Sequence, residues 1–273
     1  MQDILEAVLN DPGVEQSAHE VMRQELDEAT RLDRLVPMHE HLCQLEARTR
    51  YRSAVASSGL DPTDTAALQA SRAYGALIAE LRRAESIDLS VSDLLCRAVA
   101  QSPLTNARDI AAVLHGRVER LVRRSQSRTR RPITMVAGLV IPARQASDPT
   151  MLPALRELES QIADRADWLA RQAATERPLW YEAIAGAAAQ GREPTRLIRE
   201  IAAYRERYQV REQTVLGATP PQAAIGQRQH HARLLTQIRR ISRDDAEQSD
   251  LPSAARAPTM DVGANFASDG PRN

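Results

Sequence analysis

The stretch Thr195-Arg196-Leu197-Ile198-Arg199-Glu200-Ile201-Ala202-Ala203-Tyr204-Arg205-Glu206-Arg207-Tyr208 sets Leu197, Ile201, Tyr204 and Tyr208 at i, i+4, i+7 and i+11, on one face of an α-helix. The same spacing recurs to either side. Tyr74, Leu77, Ile78, Leu81 and Ala84 form one stripe, and Ile110, Val113, Leu114, Val118, Leu121 and Val122 another. Leu155, Leu158, Ile162 and Leu169 form a third, and Ile225, Ala232, Leu235 and Ile238 a fourth. A chain that repeats this period and is rich in Ala, Leu, Arg and Glu is expected to be all-α. With one Phe, two Trp and five Tyr in 273 residues, its core has to be built from Leu, Ile, Val and Ala.

Breakers divide the helices. Asp11-Pro12-Gly13 closes a short helix over 3–10, and Ser17-Ala18-His19-Glu20 is a capping box. The helix it opens carries Ala18, Met22, Leu26, Ala29 and Leu32, and Pro37 is placed in the first turn of the next, which runs to about Ser57. Thr105 or Asn106 is read as the cap of the helix beginning near Ile110, and Asp148-Pro149 as the cap and first residue of another. Pro178 starts a short helix bearing Trp180, and Pro220-Pro221 opens the last one.

The run from Ile133 to Ile141 is the one strand-like segment, and a lone strand has no sheet to join. It reads as an extended linker docked through Ile133, Val136, Leu139 and Ile141. The expected organisation is therefore two helical subdomains, 1–124 and 149–247, joined by a linker over 125–148 that is first basic and then apolar. Residues 248–273, rich in Ser, Ala, Pro, Asp and Gly without periodicity, read as a disordered tail.

Charge excludes some functions and suggests one. All 36 basic residues are arginine, so neither a P-loop lysine nor a Schiff-base lysine exists in this chain. The 36 acids balance them, unevenly: residues 1–60 carry 11 acids and 6 arginines, whereas 117–131 carry 7 arginines and one glutamate. Arg117, Arg120, Arg124, Arg128, Arg130 and Arg131 fall on a helix end and the loop after it, a placement suited to neutralising phosphates without reading bases. No aromatic residue interleaves with them, so base stacking is not indicated. The alternative is a solvated basic end that pairs with the acidic helices of residues 1–60.

Candidates for catalysis are sparse. His39 and His41, two apart on a helix, point in different directions and do not form a metal pair. His230 and His231 read as surface residues, Cys43 and Cys96 as buried small apolar ones, and Tyr204 and Tyr208 as packing residues whose hydroxyls reach solvent. No cofactor, no metal and no enzymatic activity are expected. No apolar run approaches the ~20 residues of a membrane span, and no signal core follows Met1-Gln2-Asp3, so the expected location is cytoplasmic.

Glu176-Arg177-Pro178-Leu179-Trp180 followed by Ile201-Ala202-Ala203-Tyr204-Arg205-Glu206-Arg207-Tyr208-Gln209-Val210 resembles a signature in the C-terminal, post-helicase region of MobF-type conjugative relaxase–helicases of high-GC bacteria. Ile4 to Leu9, the capping box at Ser17, Asp27-Glu28-Ala29, Leu35-Val36-Pro37 with Tyr51-Arg52, and Asp109 to Leu114 extend the resemblance over about residues 1–245. Neither upstream catalytic domain of that family is present here. The resemblance implies a non-catalytic accessory region of a mobilisation protein, with Trp180, Tyr204 and Tyr208 as its structural signature. It would be a platform for non-specific contact with single- or double-stranded DNA, with transfer proteins, or with a relaxase or helicase. The alternative is a helical protein–protein interaction module that does not touch nucleic acid.

Overall fold

The computed structural model describes residues 17–105, 107–129, 132–188 and 194–249. Among them lie eleven helices: α1 (Ala18–Ala29), α2 (Leu32–Arg50), α3 (Arg52–Ala56), α4 (Pro62–Ala70), α5 (Tyr74–Ser86), α6 (Val91–Ala100), α7 (Ile110–Thr129), α8 (Met151–Glu176), α9 (Leu179–Ala188), α10 (Pro194–Arg207) and α11 (Ile225–Ser249). The fold is all-α. The expected helix at 3–10 and most of the tail read over 248–273 fall outside the described residues.

Short polar side chains set the helix starts. The Ser17 hydroxyl accepts from the Glu20 amide while the Glu20 carboxylate accepts from the Ser17 amide at 2.8 Å, completing the capping box of α1. Asp61 caps α4 ahead of Pro62, and Ser90 caps α6. Asp109, rather than Thr105 or Asn106, caps α7: its carboxylate accepts from the Ala112 amide at 3.0 Å and is held by the Ser71 hydroxyl at 2.8 Å. Asp148 accepts from the Thr150 amide, and α8 begins at Met151, two residues later than expected.

Pro37 does not open its helix. The chain bends at Thr30-Arg31, where Arg31 is extended, and α2 starts at Leu32 with Pro37 in its second turn. Pro37 lies on the exposed side of the helix, so the missing N–H falls at the water-facing edge rather than in the core.

Three apolar clusters organise the helices. The first gathers Ala47 and Tyr51 with the inner faces of α3 to α7, around Leu77, Ile78, Leu81, Leu95 and Leu114. The second joins the end of α8 to α9, α10 and α11 around Trp180, Ile201, Tyr204 and Leu234. The third lies between them and holds Leu32, Leu35 and Val36 of α2, Ala137, Leu139 and Val140 of the connecting segment, Ile162 and Ala166 of α8, and Ala203 of α10.

This third cluster joins the two expected halves. α2 packs on α5 with one end and on α8 and α10 with the other. The segment 125–148 is therefore bridged by a helix from the first half, whose Leu32, Leu35 and Val36 are covered by the connecting segment, α8 and α10.

The connecting segment is built in rather than strung across. Val136 and Val140 pair as an isolated antiparallel bridge around a tight turn, with the Leu139 amide donating to the Val136 carbonyl at 2.9 Å. Ala137 and Gly138 have φ of 50° and 70°, the left-handed pair that a type I′ turn requires. Ile133 and Val136 dock as expected, but Val140 replaces Ile141 as the buried residue, because the turn reverses the chain and shifts the alternation.

Polar contacts hold the following residues. Arg82 donates to the Ile141 carbonyl, the Ala143 amide donates to Glu159 at 2.6 Å, and the Ser147 amide donates to Glu46 at 2.8 Å. Arg144 reaches the carbonyls of Glu85 and Ser86 and pairs with Asp88.

Candidate functional site

Two regions qualify: the basic end of α7, and the cleft lined by the stretch around Trp180 and Tyr204.

The six arginines of the first region do not act together. Arg117 turns inward and is buried. Its guanidinium donates to the carbonyls of Ala98 at 2.8 Å and Ser102 at 3.0 Å and to the Ser102 hydroxyl. These acceptors are the loose carbonyls at the end of α6, so Arg117 serves as that helix's C-terminal cap. A phosphate cannot reach it, and it leaves the candidate set.

Arg120, Arg124 and Arg128 are exposed at i, i+4 and i+8 and lie along one side of α7. None of the three has a carboxylate partner among the described residues. Their neighbour Arg123 pairs with Glu119 at 2.6 Å. Arg130 and Arg131 lie outside the described residues. Near Glu119 and Arg123, Glu80 of α5 is buried, and burial pushes its carboxyl up to about 7 against the nearby guanidiniums of Arg83 and Arg123. Nothing in the sequence singled Glu80 out, since its burial depends on how α5 meets α7.

The second region contains a cleft of about 640 Å³. It runs between the α1–α2 bend, the end of α8 and the segment after α10, and Trp180, Arg205 and Glu206 are among its walls. Most of its charges are already matched. Arg31 pairs with Asp33, Arg34 with Glu28 at 3.4 Å, and Glu206 with Arg165 at 2.6 Å. Of the cleft's arginines, Arg211 alone has no ion-pair or hydrogen-bond partner among the described residues.

Every residue of the run from Ala202 to Tyr208 except Arg207 has a structural task. Ala202 and Ala203 are buried and small, which allows α10 to approach α8 and α2 closely. Tyr204 is fully buried, with its ring 4.9 Å from that of Tyr208. Arg205 lies over the Trp180 ring at 5.3 Å and donates to the carbonyls of Val210, Glu212, Thr214 and Val215, fixing the loop after α10. The Glu206 carboxylate accepts from the Leu32 amide at 3.0 Å as well as from Arg165, tying the start of α2 to α8.

Tyr208 is half-buried, and its hydroxyl meets His230 Nδ1 at 2.7 Å. The Tyr204 hydroxyl accepts from Gln227 at a loose 3.5 Å. Neither hydroxyl is therefore the free, solvent-directed group expected. Trp180, Tyr204 and Tyr208 share one apolar cluster, but the Trp180 ring meets Tyr181 edge-on at 6.2 Å rather than stacking in the tyrosine pair.

Two further expectations change, and one histidine gains partners that were not foreseen. His230 is half-buried rather than a surface residue: burial, with Arg233 and Arg207 nearby, lowers it to about 4 despite its hydrogen bond to the Leu139 backbone. Cys96 is exposed, whereas Cys43 is buried. His39 is fully buried, with Nε2 at 3.0 Å from Glu159 and the Cys43 thiol at 3.6 Å. Burial alone would lower His39, but its hydrogen bonds with Cys43 and Glu159 prevail and raise it to about 9. The spacing of His39 and Cys43, i and i+4, was visible in the sequence. Glu159, 120 residues away, was not.

No family model, curated protein or solved structure matches the chain. Among the described residues, no group of three or more His, Cys, Asp or Glu side chains could hold a metal ion, and no helix is long and apolar enough to cross a membrane.

Proposed function

We propose that this chain is a non-catalytic helical module that holds nucleic acid through its phosphates, at the stripe formed by Arg120, Arg124 and Arg128. The observation that carries this reading is that these three exposed cations have no carboxylate partner among the described residues. By contrast, Arg50, Arg123, Arg165, Arg177, Arg199 and Arg233 are each bound to an acid. An unpaired guanidinium needs no internal partner to be broken before it meets a phosphate. The alternative, that the cluster pairs with the acidic helices of residues 1–60, draws no support from these contacts. Together with the resemblance to the post-helicase region of conjugative relaxases, the stripe favours an accessory role in DNA processing during plasmid transfer.

The test is salt-dependent binding of labelled single- and double-stranded DNA. Three phosphates neutralised on a duplex give a log–log salt slope of about −2.7, and a shallower one on a single strand. Replacing Arg120, Arg124 and Arg128 by Gln is expected to remove that part of the slope equally for all base sequences. Binding that survives the triple replacement with its slope unchanged would sink the proposal. A second reading, a protein-interaction module, is favoured by a different observation: Met22 and Leu26 each stand 64% exposed on α1.

A further inference from the structure

α1 is an arm. Every side chain described along it is exposed or at most half-buried, although it carries Val21, Met22 and Leu26. Two ion pairs moor it, Asp27 to Arg165 of α8 and Glu28 to Arg34. Met22, Leu26 and Ala29 follow at i, i+4 and i+7 on one stripe. Asp27 lies five residues from Met22, about 140° around the helix, so the mooring is on the side away from the stripe. The apolar stripe of α1 therefore faces outward from the body.

A second apolar stripe stands uncovered on α2. Met38 and Leu45 are 46% and 45% exposed. Both lie on the outer face of α2, away from the buried faces that meet α5, α8 and α10. They are seven residues apart, as are Met22 and Ala29, so both stripes run about 10.5 Å along their helices.

Their charges are opposite. Beside its apolar stripe α1 carries Glu25, about 60° from Met22, whereas Asp27 and Glu28 are engaged in the mooring. The exposed face of α2 carries His41 and Arg48, besides the moored Arg34, and no acid, and Arg52 follows it. Two α1 helices laid together would oppose like charges, whereas α1 against the outer face of α2 opposes unlike ones. Within one chain the mooring to Arg165 holds α1 on the α8 side of α2, away from that face.

We propose that two copies of this chain associate by exchanging arms, with α1 of each lying along the Met38–Leu45 face of α2 in the other. Both surfaces are present on every copy, so a twofold arrangement satisfies both contacts and leaves no open end. The occupant of each stripe is thus a second copy of this chain.

The test is the mass of the full chain by light scattering across a dilution series. Twice 30.2 kDa is expected at the concentrated end. Leu26→Glu should weaken self-association about 100-fold or more, because each substitution is met at two equivalent contacts. Leu45→Glu should do the same, and circular dichroism of both variants should stay helical, since these positions are exposed.

Mixing the two variants distinguishes exchange from other modes of pairing. A chain with an intact arm and one with an intact face retain one good contact between them, so the mixture should form a heterodimer that neither variant forms alone. A wild-type mass of 30.2 kDa throughout, a dimer indifferent to Leu26→Glu, or a mixture with no heterodimer would each overturn the proposal.

Discussion

Gly138→Ala is the sharpest probe of how the connecting segment is held. Gly138 has a φ of 70°, and a Cβ built there would sit 2.2 Å from Arg233 Nη2 and 3.0 Å from the Glu200 side chain. A left-handed alanine costs about 1 kcal/mol in backbone strain alone. The clash is then relieved by moving Arg233, which donates to the Gly138 carbonyl at 2.8 Å and pairs with buried Glu200 at 3.1 Å. Losing a hydrogen bond from a charged donor at a part-buried carbonyl costs roughly 1.5–3 kcal/mol. Arg196, also 3.1 Å from Glu200, keeps that carboxylate partly compensated. The expected loss is therefore about 2.5–4 kcal/mol, read as a lower urea midpoint at unchanged slope. Gly186→Ala is the control: its Cβ meets nothing within 4 Å, and alanine in a helix should stabilise by about 0.5–1 kcal/mol. If Gly138→Ala cost less than the scatter between repeat melts, the turn would not be clamped as described.

Three other outcomes follow from the geometry. His39 is raised from 6.5 to about 9 in the folded chain, so its stabilising contribution is complete below pH 6.5 and is lost as pH rises through 9. Urea melts should show that decline, and His39→Gln should flatten it; an unchanged profile in the variant would assign the decline elsewhere. Arg117→Ala should cost about 2–4 kcal/mol by uncapping α6, whereas Arg124→Ala should stay within about 0.5 kcal/mol, and equal costs would mean that the two arginines are not differently employed. Trp180→Ala, at a ring 8% exposed, should cost about 3–5 kcal/mol, and an unchanged melting temperature would show that the Trp180 ring is not part of the packed core.

Much of the architecture was legible because helical periodicity is local. The stripes at 74–84, 110–122 and 155–169 were readable residue by residue, as was the capping box at Ser17. Cap identity was harder where the cap is fixed from afar: Asp109 takes the role at α7 with help from Ser71, 38 residues earlier. The arginine cluster was legible as charge but not as orientation. Arg117 differs from Arg120 only by its position on the helix, and that position points it at the end of α6. His39, His230 and Glu80 were illegible as perturbed groups because their burial, and partners such as Glu159 of His39 and Arg207 of His230, come from distant segments. How the two expected halves meet across 125–148 was illegible for the same reason, since composition marks where a chain loses periodicity and says nothing of which helix crosses the gap.

That crossing helix has a consequence for how the protein is made. Leu32, Leu35 and Val36 leave the ribosome well before Ala203, which completes their enclosure and follows Val36 by about 165 residues. At ~5–20 residues per second, these apolar groups wait on the order of ten seconds or more for their last neighbours. A ribosome halted anywhere between α2 and α10 would thus hold a nascent chain whose α2 is sticky, whatever the state of the residues between.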